Sequence, residues 1–517
     1  MPTHAEAMAN ALAARGVQYV FGLPGGEIVA FIDACRRAGM RFLLTGHEAS
    51  AAWMAQVVGQ ITGVPGVCAT TLGPGATNLV TAVANAYLDR APMLAITAQI
   101  PASTIDTMTH QRLALDRLFS PITKASFAIE KNASGLIDRA LTLALEPRPG
   151  PVHVSLASDL ATTVDVIHDR TFTERSKRAV HLQPISKRLS AAKRPLVLIG
   201  LGATPADAPA IRALIEKLQA PFLVTPKVKG IVSEDHPLFC GVASGMAIDR
   251  DILETIRAAD LILAIGFDPV ECDKAWFADV EVVSIDSASM AEGRYRPLEA
   301  IGDIASLAGA LKPDPKPWPN DLLDQRRNAI RRQPASGLSP LRLIEELRAI
   351  FPRDGIATCD VGSHKLLMGQ FWRAYEPGTF FMSNGLSGMG FGLPAAIAAQ
   401  LCHPDKPVLS VVGDGGMLMM LHDLALIREL ALPIIIVVLS DRSLSLIRVS
   451  EERRGIAPYG VDFTPPDFAK IAEAFGIAGR SVKSIQEARD AVERALTSRT
   501  ALLVDVPIDY REYYDLV

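Results

Sequence analysis

The stretch VLSVVGDGGM (408–417), followed by IIIVVLSDRSLS (434–445), decides how the carboxyl-terminal third of the chain is built. Each begins with a short, continuous run of aliphatic and β-branched residues, the pattern of a parallel strand buried on both faces. The segment between them supplies a crossover, so the pair reads as one strand–helix–strand unit. Asp414 and Asp441 stand 27 residues apart, one after each run. Both carboxylates therefore emerge at neighbouring strand tips, where open α/β sheets place their ligands. Gly413, Gly415 and Gly416 around Asp414 let the backbone turn tightly and approach a ligand. Two such oxygens, with a backbone carbonyl and diphosphate oxygens, make a hard octahedral site for Mg²⁺. Two loop aspartates capping helices are the equally weighted alternative.

The same kind of run recurs along the whole chain: VQYVFGLP, GVCATTLGPG, MLAITAQIP, PVHVSLA, PLVLIGLG, LILAIGFD, EVVSID, GIATCDVG and ALLVDVPID. Helix-like segments alternate with them, which predicts repeated βαβ units and an α/β fold with parallel sheets. Gly-rich turns follow four runs, FGLPGG (21–26), TLGPGATN (71–78), IGLGATP (199–205) and VVGDGGM (411–417). Polar stretches at 166–187 and 312–338 read as linkers, the second with one short helix inside. They divide the chain into three domains, 1–165, 188–311 and 339–517, of which the first and third share a plan of strand, Gly-rich turn and helix.

Length and composition agree. A chain of 517 residues predicts about three domains. Hydrophobic residues make up 49% and charged residues 21%, which excludes a disordered chain. The formal charge of −4 gives no footprint for nucleic acid or an acidic membrane surface. Six scattered cysteines without a CxxC pair exclude a disulfide scaffold or zinc ribbon and fit a reducing cytoplasm. The amino terminus reads as an amphipathic helix rather than a signal peptide. From Ala49 to Leu88 there is no charged residue at all, yet Gln, Asn, Gly and Pro interrupt the run, so it is no membrane span.

Several motifs together resemble the thiamine-diphosphate-dependent enzymes. GDG followed 27 residues later by Asp441 is similar to their diphosphate–Mg²⁺ motif. SNGLSGMGFGLPAAIAA (383–399) resembles their cofactor-binding turn and helix, and GHEASAAWMA (46–55) the motif carrying their catalytic glutamate. TTLGPGATNLVTAVANAYLDRAPMLAITAQ (70–99) and PDFAKIAEAFG (466–476) also match. The resemblance covers essentially the whole chain, in the order pyrimidine domain, central Rossmann-like domain and diphosphate domain, and is strongest to the acetolactate synthase-like, FAD-independent branch.

The resemblance implies thiamine diphosphate and Mg²⁺ as cofactors, without FAD. Glu48 would be the carboxyl that exchanges a proton with the cofactor's pyrimidine ring, and its apolar neighbours predict a raised pKa. Met389 would support the bent cofactor from below, and the Ser387 carbonyl would accept from its amino group. Ser363 and His364 would contact the diphosphate. Pro24, Pro74, Asn78, Gly413, Gly415, Gly416 and Leu444 fall among the implied cofactor contacts. Asp414, Asp441 and the Ser443 carbonyl would hold Mg²⁺. Asp441 departs from the family's usual Asn and adds a negative charge.

Glu27, in the FGLPGGEI turn, falls where the family places a residue beside the reacting carbon; a helix-start glutamate is the plainer alternative. His110 and Gln111 occupy the place of a Phe-Gln pair. Arg448, Arg453 and Arg454 would fix a substrate carboxylate or form a solvated face, and Ser450 stands where anabolic relatives carry a Trp. The activity implied is decarboxylation and carboligation of a 2-oxo acid, with acetolactate formation the best match. A simple 2-oxo acid decarboxylase, a 2-hydroxyacyl thioester lyase and a non-catalytic cofactor-binding regulatory protein are the alternatives. The implied assembly is a homodimer or homotetramer with active sites at the dimer interface, without nucleic acid or membrane. The charge-free run is expected to be buried at that interface.

Overall fold

The computed structural model describes residues 1–165, 182–245, 247–272 and 279–515. They contain three six-stranded sheets in which every strand pair is parallel.

The first sheet comprises β1 (Tyr19–Leu23), β2 (Arg41–Leu44), β3 (Gly66–Thr70), β4 (Met93–Gln99), β5 (Ser126–Ala128) and β6 (Pro151–Ala157), in the order β2-β1-β3-β4-β6-β5. The second comprises β7 (Pro195–Ile199), β8 (Phe222–Val224), β9 (Phe239–Val242), β10 (Leu261–Ile265), β11 (Glu281–Asp286) and β12 (Leu298–Ile301), in the order β12-β11-β10-β7-β8-β9. Read from β9, that is the strand order of a dinucleotide-binding sheet. The third comprises β13 (Ile356–Cys359), β14 (Phe380–Met382), β15 (Val408–Gly413), β16 (Ile434–Ser440), β17 (Ala478–Ser481) and β18 (Leu502–Pro507), ordered β14-β13-β15-β16-β18-β17. The first and third sheets therefore share one topology.

The continuous apolar runs become strands because both faces are covered. β3, β7 and β10 are buried along their whole length. The chain forms two compact units. One contains the described amino-terminal residues through the first sheet, with Gly385–Asp405 and Met419–Leu432; the other contains the second and third sheets.

Within the first unit, the helix Glu48–Thr62 begins at His47, whose ring Nδ1 accepts from the Ala49 amide at 3.0 Å, and ends at Gly63 with φ +70°. Its small residues let neighbouring backbone come close. A Cβ on Gly59 would lie 2.0 Å from the Pro92 carbonyl oxygen, and one on Gly66 would lie 1.8 Å from that of Ala55. The helix packs against the helix Gly392–Cys402, and Trp53 meets Phe391 edge-on at 5.5 Å between ring centroids. A buried polar group in this layer satisfies itself: Asn85 and Gln56 both donate to Asp89, and Asn85 also donates to Gln56. This adds to the expected reason for the charge-free run: most of it is already buried by the chain's own first unit.

The predicted linkers need adjustment too. Residues 166–181 of the first lie outside the described residues, but from Gln183 to Ala191 the chain is a helix, whose Ile185 and Leu189, one turn apart, are buried. In the second, the expected helix is Asn320–Ala329, and Trp318 before it is buried with its indole N–H donating to the Pro195 carbonyl at 2.8 Å.

Gly66→Ala forces a methyl into backbone rather than into a mobile side chain. We expect a loss of about 3 kcal/mol, seen as a lower denaturant midpoint; an unchanged midpoint would show that the helix Glu48–Thr62 is not held this tightly.

Candidate functional site

In the second unit, β15 and β16 pair with Gly413 opposite Leu439, so the Asp414 and Asp441 corners leave the same end of the sheet. Asp414 accepts from the amides of Gly415 at 2.8 Å and Arg442 at 2.7 Å. Asp441 accepts from the Ser443 amide at 3.1 Å and from the Ser445 hydroxyl. Burial raises the pKa of Asp414 against the pull of these amides. Burial also pushes Asp441 up to about 6; the Ser445 hydroxyl opposes the shift and the Asp414 charge adds to it. Two half-desolvated carboxylates that repel each other are a site that a hard cation relieves. Among the described residues no three His, Cys, Asp or Glu side chains converge as a ready-made metal cage. A cation here would therefore need backbone and ligand oxygens beside the two aspartates, the Ser443 carbonyl among the candidates.

Two orphaned polar atoms mark where an anion fits. Ser363 and His364 open the helix Ser363–Phe371 directly after β13, both buried, and neither Ser363 Oγ nor His364 Nε2 has a hydrogen-bond partner. Burial lowers His364 to about 4, so the ring is neutral at pH 7. It packs on the glycine corner: a Cβ on Gly413 would lie 3.2 Å from His364 Cε1, and one on Gly416 would lie 2.1 Å from Asp360 Oδ2. Side chains there would collide with His364 and Asp360, so the corner stays bare backbone, and with the unpartnered Ser363 hydroxyl the residues present fit a diphosphate. Leu444 flanks the same corner and is exposed.

In the first unit, Glu48 is the first residue of its helix and is 5% exposed. Asn78 donates to Glu48 Oε2 at 2.9 Å, while a Cβ on Gly75 would sit 3.5 Å from Oε1. The glycine thus keeps one carboxylate oxygen accessible. Pro74 opens the short helix Pro74–Asn78. Glu27 is half-buried and accepts from the Thr71 hydroxyl at 2.8 Å, so its partner is neutral. Pro24 is exposed in the same turn region. Gln111, at φ +56°, lies over the Gly73 turn, whose Cβ would approach Gln111 Cβ to 3.1 Å; His110 beside it is exposed. Ser387 is held at φ +56°, rare for a non-glycine residue, and Met389 two residues later is half-buried.

Two of the arginines after Asp441 are committed elsewhere. Arg448 pairs with Asp462 at 2.6 Å and Glu452 at 3.2 Å, and Arg453 donates to the Tyr514 carbonyl. Ser450 lies in the same helix, Ser445–Arg453, and Arg454 is exposed at its end.

The sequence reading missed a group around the Glu48 helix. The Ser50 hydroxyl donates to Asp423 Oδ2 at 2.9 Å and lies 3.0 Å from His422 Nε2. Asp423 is 1% exposed, and burial pushes its carboxyl up to about 7, with Ser50 opposing. An aspartate inside the apolar run MLMMLHDLALI was the available signal.

Adjoining strand tips with two carboxylates, next to buried polar atoms without partners, have the chemistry to hold a diphosphate group. Known families agree. Residues 2–118 match the thiamine pyrophosphate enzyme, N-terminal TPP binding domain; residues 182–311 match the central domain; residues 360–506 match the C-terminal TPP binding domain. The chain is 32% identical to the acetolactate synthase of Bacillus subtilis (strain 168), over 99% of this chain and 94% of that protein. It is 32% identical to the acetolactate synthase isozyme 2 large subunit of Escherichia coli (strain K12), over 98% and 96%, and 30% identical to the catabolic acetolactate synthase of Raoultella terrigena, over 98% and 95%. The chain belongs to the thiamine pyrophosphate enzyme family, and it is a thiamine-diphosphate-dependent enzyme.

Asp441→Asn removes the charge that repels Asp414 and keeps a hard oxygen. We expect activity to be retained and thiamine diphosphate to bind no more weakly at fixed Mg²⁺ in a titration of the apoenzyme; a large loss of affinity would count against the pairing. Asp423 gives a pH test. Its carboxyl ionises near 3.8 when unfolded but near 7 when folded, so the native state loses stability as pH rises between these values, by about 4 kcal/mol in all. Asp423→Asn cannot ionise. Its urea midpoint should gain on the wild type from pH 4 to pH 7, and parallel curves would contradict the burial.

Proposed function

We propose that this chain is a carboligase of the acetolactate synthase kind, which decarboxylates a 2-oxo acid and joins the remaining fragment to a second one. The observation that carries the reading is Glu48, a buried helix-start carboxylate fixed through Oε2 by Asn78 with Oε1 left free. When bound, thiamine diphosphate supplies a carbon nucleophile and an electron sink for decarboxylation. Glu48 holds and releases the proton at Oε1, and Asn78 fixes the carboxylate's orientation. Met389 and the Ser387 peptide, whose direction φ +56° sets, support the cofactor rings. Ser363, His364 and the Gly413–Gly416 corner bind the diphosphate, with the Ser363 hydroxyl as donor. Asp414, Asp441 and the Ser443 carbonyl hold Mg²⁺. Gln111 and His110 lie on the substrate side with Glu27, whose Thr71 hydrogen bond keeps it from reaching freely toward an anionic substrate.

No flavin is expected in the second sheet. The buried Glu271 carboxylate accepts from the Leu201 amide at 2.9 Å and the Thr225 hydroxyl at 2.6 Å, and the Gly202 amide donates to the Gly266 carbonyl at 2.7 Å. The amides of the IGLGATP turn that would bind a dinucleotide phosphate are therefore taken, beside buried acids that would repel it. All six cysteines are free, in keeping with a cytoplasmic enzyme. No described helix is long and apolar enough to cross a membrane. Exposed Val29, Leu44, Leu386, Met419, Leu444 and Ile447 support assembly as a homodimer or homotetramer.

A panel of 2-oxo acids assayed for CO₂ and products tests the reading. Pyruvate should yield acetolactate, detected as acetoin after acidification. Aldehyde as the sole product would overturn it. Glu48→Gln should lower turnover at least about a hundredfold while thiamine diphosphate still binds; intact turnover would exclude Glu48 as the proton carrier.

A further inference from the structure

The second unit holds a cleft of about 470 Å³ that contains none of the cofactor residues. The segment before β9, the end of the helix Asn320–Ala329 with the turn after it, the helix Pro340–Ile350 and the stretch after the helix Ser363–Phe371 line it. Five arginines reach it, Arg327, Arg331, Arg332, Arg348 and Arg373, against two carboxylates, Glu234 and Glu345. Glu234 is already spent on Lys229, at 2.9 Å in a fully buried pair. Arg332 is spent on Asp251, and Arg348 gives its donors to the carbonyls of Arg373 and Phe351, each at 2.6 Å. Arg331 and Arg373 have no ion-pair partner among the described residues, and Arg327 has Asp324 only at 3.8 Å. Three guanidiniums therefore face a single available carboxylate, Glu345, which lies within electrostatic reach of Arg373, and the cleft keeps an excess of positive charge. A cleft with an excess of one sign of charge concentrates the opposite ion. The wall is rigid: Tyr375 lies between Arg348, 4.6 Å from its ring centroid, and Arg353, at 3.7 Å. Phe239 and Phe371 add an apolar side.

We propose that this cleft is a binding site for an organic diphosphate, distinct from the site of the thiamine cofactor. Planar guanidiniums match phosphate oxygens in pairs. A monocarboxylate offers two oxygens to these arginines, whereas a diphosphate offers enough to meet all three. The volume falls in the range of small-molecule sites, and the aromatic side suits a ring carried beyond the phosphates. This inference is independent of the substrate assigned above.

The test uses the holoenzyme saturated with Mg²⁺ and thiamine diphosphate, titrated calorimetrically with ADP and, separately, with inorganic diphosphate. Both should bind once per chain, ADP more tightly; equal affinities would mean that the diphosphate group alone is recognised, which still supports the site. The double variant Arg331→Ala/Arg373→Ala, at two exposed positions, should weaken both at least tenfold while thiamine diphosphate affinity stays unchanged. Arg331→Glu should do the same alone. If neither probe binds the wild type, or if binding survives in the double variant, the proposal fails.

Discussion

Everything in the third sheet is arranged around a repulsion. Parallel pairing of β15 with β16 brings two aspartates to one sheet end, where neither can be moved away without breaking the register. The protein tolerates them by aiming backbone amides at Asp414 and a hydroxyl at Asp441. Those donors do not remove the charge; burial still raises both carboxyls. The glycine corner, the neutral His364 and the unpartnered Ser363 hydroxyl make sense as the rest of a site whose resting electrostatics are incomplete. A fold optimised for stability alone would have placed small neutral residues at these tips.

The interior of each sheet was legible in the sequence, and the edges were not. All eleven continuous apolar runs are strands, because an inner parallel strand is covered on both faces and must be apolar throughout. Six of the seven unforeseen strands, β2, β5, β9, β12, β14 and β17, are sheet edges; the seventh is the three-residue β8. Edge strands such as Arg41–Leu44 and Ala478–Ser481 are short and partly exposed, so their residues carry no continuous pattern. The candidate site divides in the same way. Asp414 and Asp441 were legible because strand spacing fixes them, and Glu48 because its motif does. Asn78's bond to Glu48, Thr71's bond to Glu27 and the Ser50–His422–Asp423 group were not, because each joins segments whose meeting depends on tertiary packing.

In the central sheet the protein's own groups close a Gly-rich turn. Its topology is that of a dinucleotide binder, and its Gly-rich turn is intact in sequence. Yet Glu271 reaches into the turn and takes the Leu201 amide, and Gly202 closes onto Gly266. One buried carboxylate, pushed up to about 7 by desolvation, packs into the turn and takes its amide. Glycine in such a turn therefore reports close backbone approach, and only the neighbouring side chain decides whether a ligand or the protein itself makes it.

The burial of the charge-free helix has a temporal side. Ser50 and its partner Asp423 are separated by 373 residues in the chain, and the helix Gly392–Cys402 that covers the same layer is also made late. At ribosomal speeds of roughly 5–20 residues per second, the helix Glu48–Thr62 waits on the order of tens of seconds before its cover exists. During that interval an uncharged, alanine-rich surface stands open in the crowded cell, with no like charges to keep other chains away. The amino-terminal sheet can assemble early, but the finished unit is closed only near the end of synthesis. For this protein, chaperone capacity during translation belongs to the physics of the fold as much as the contacts in the native state do.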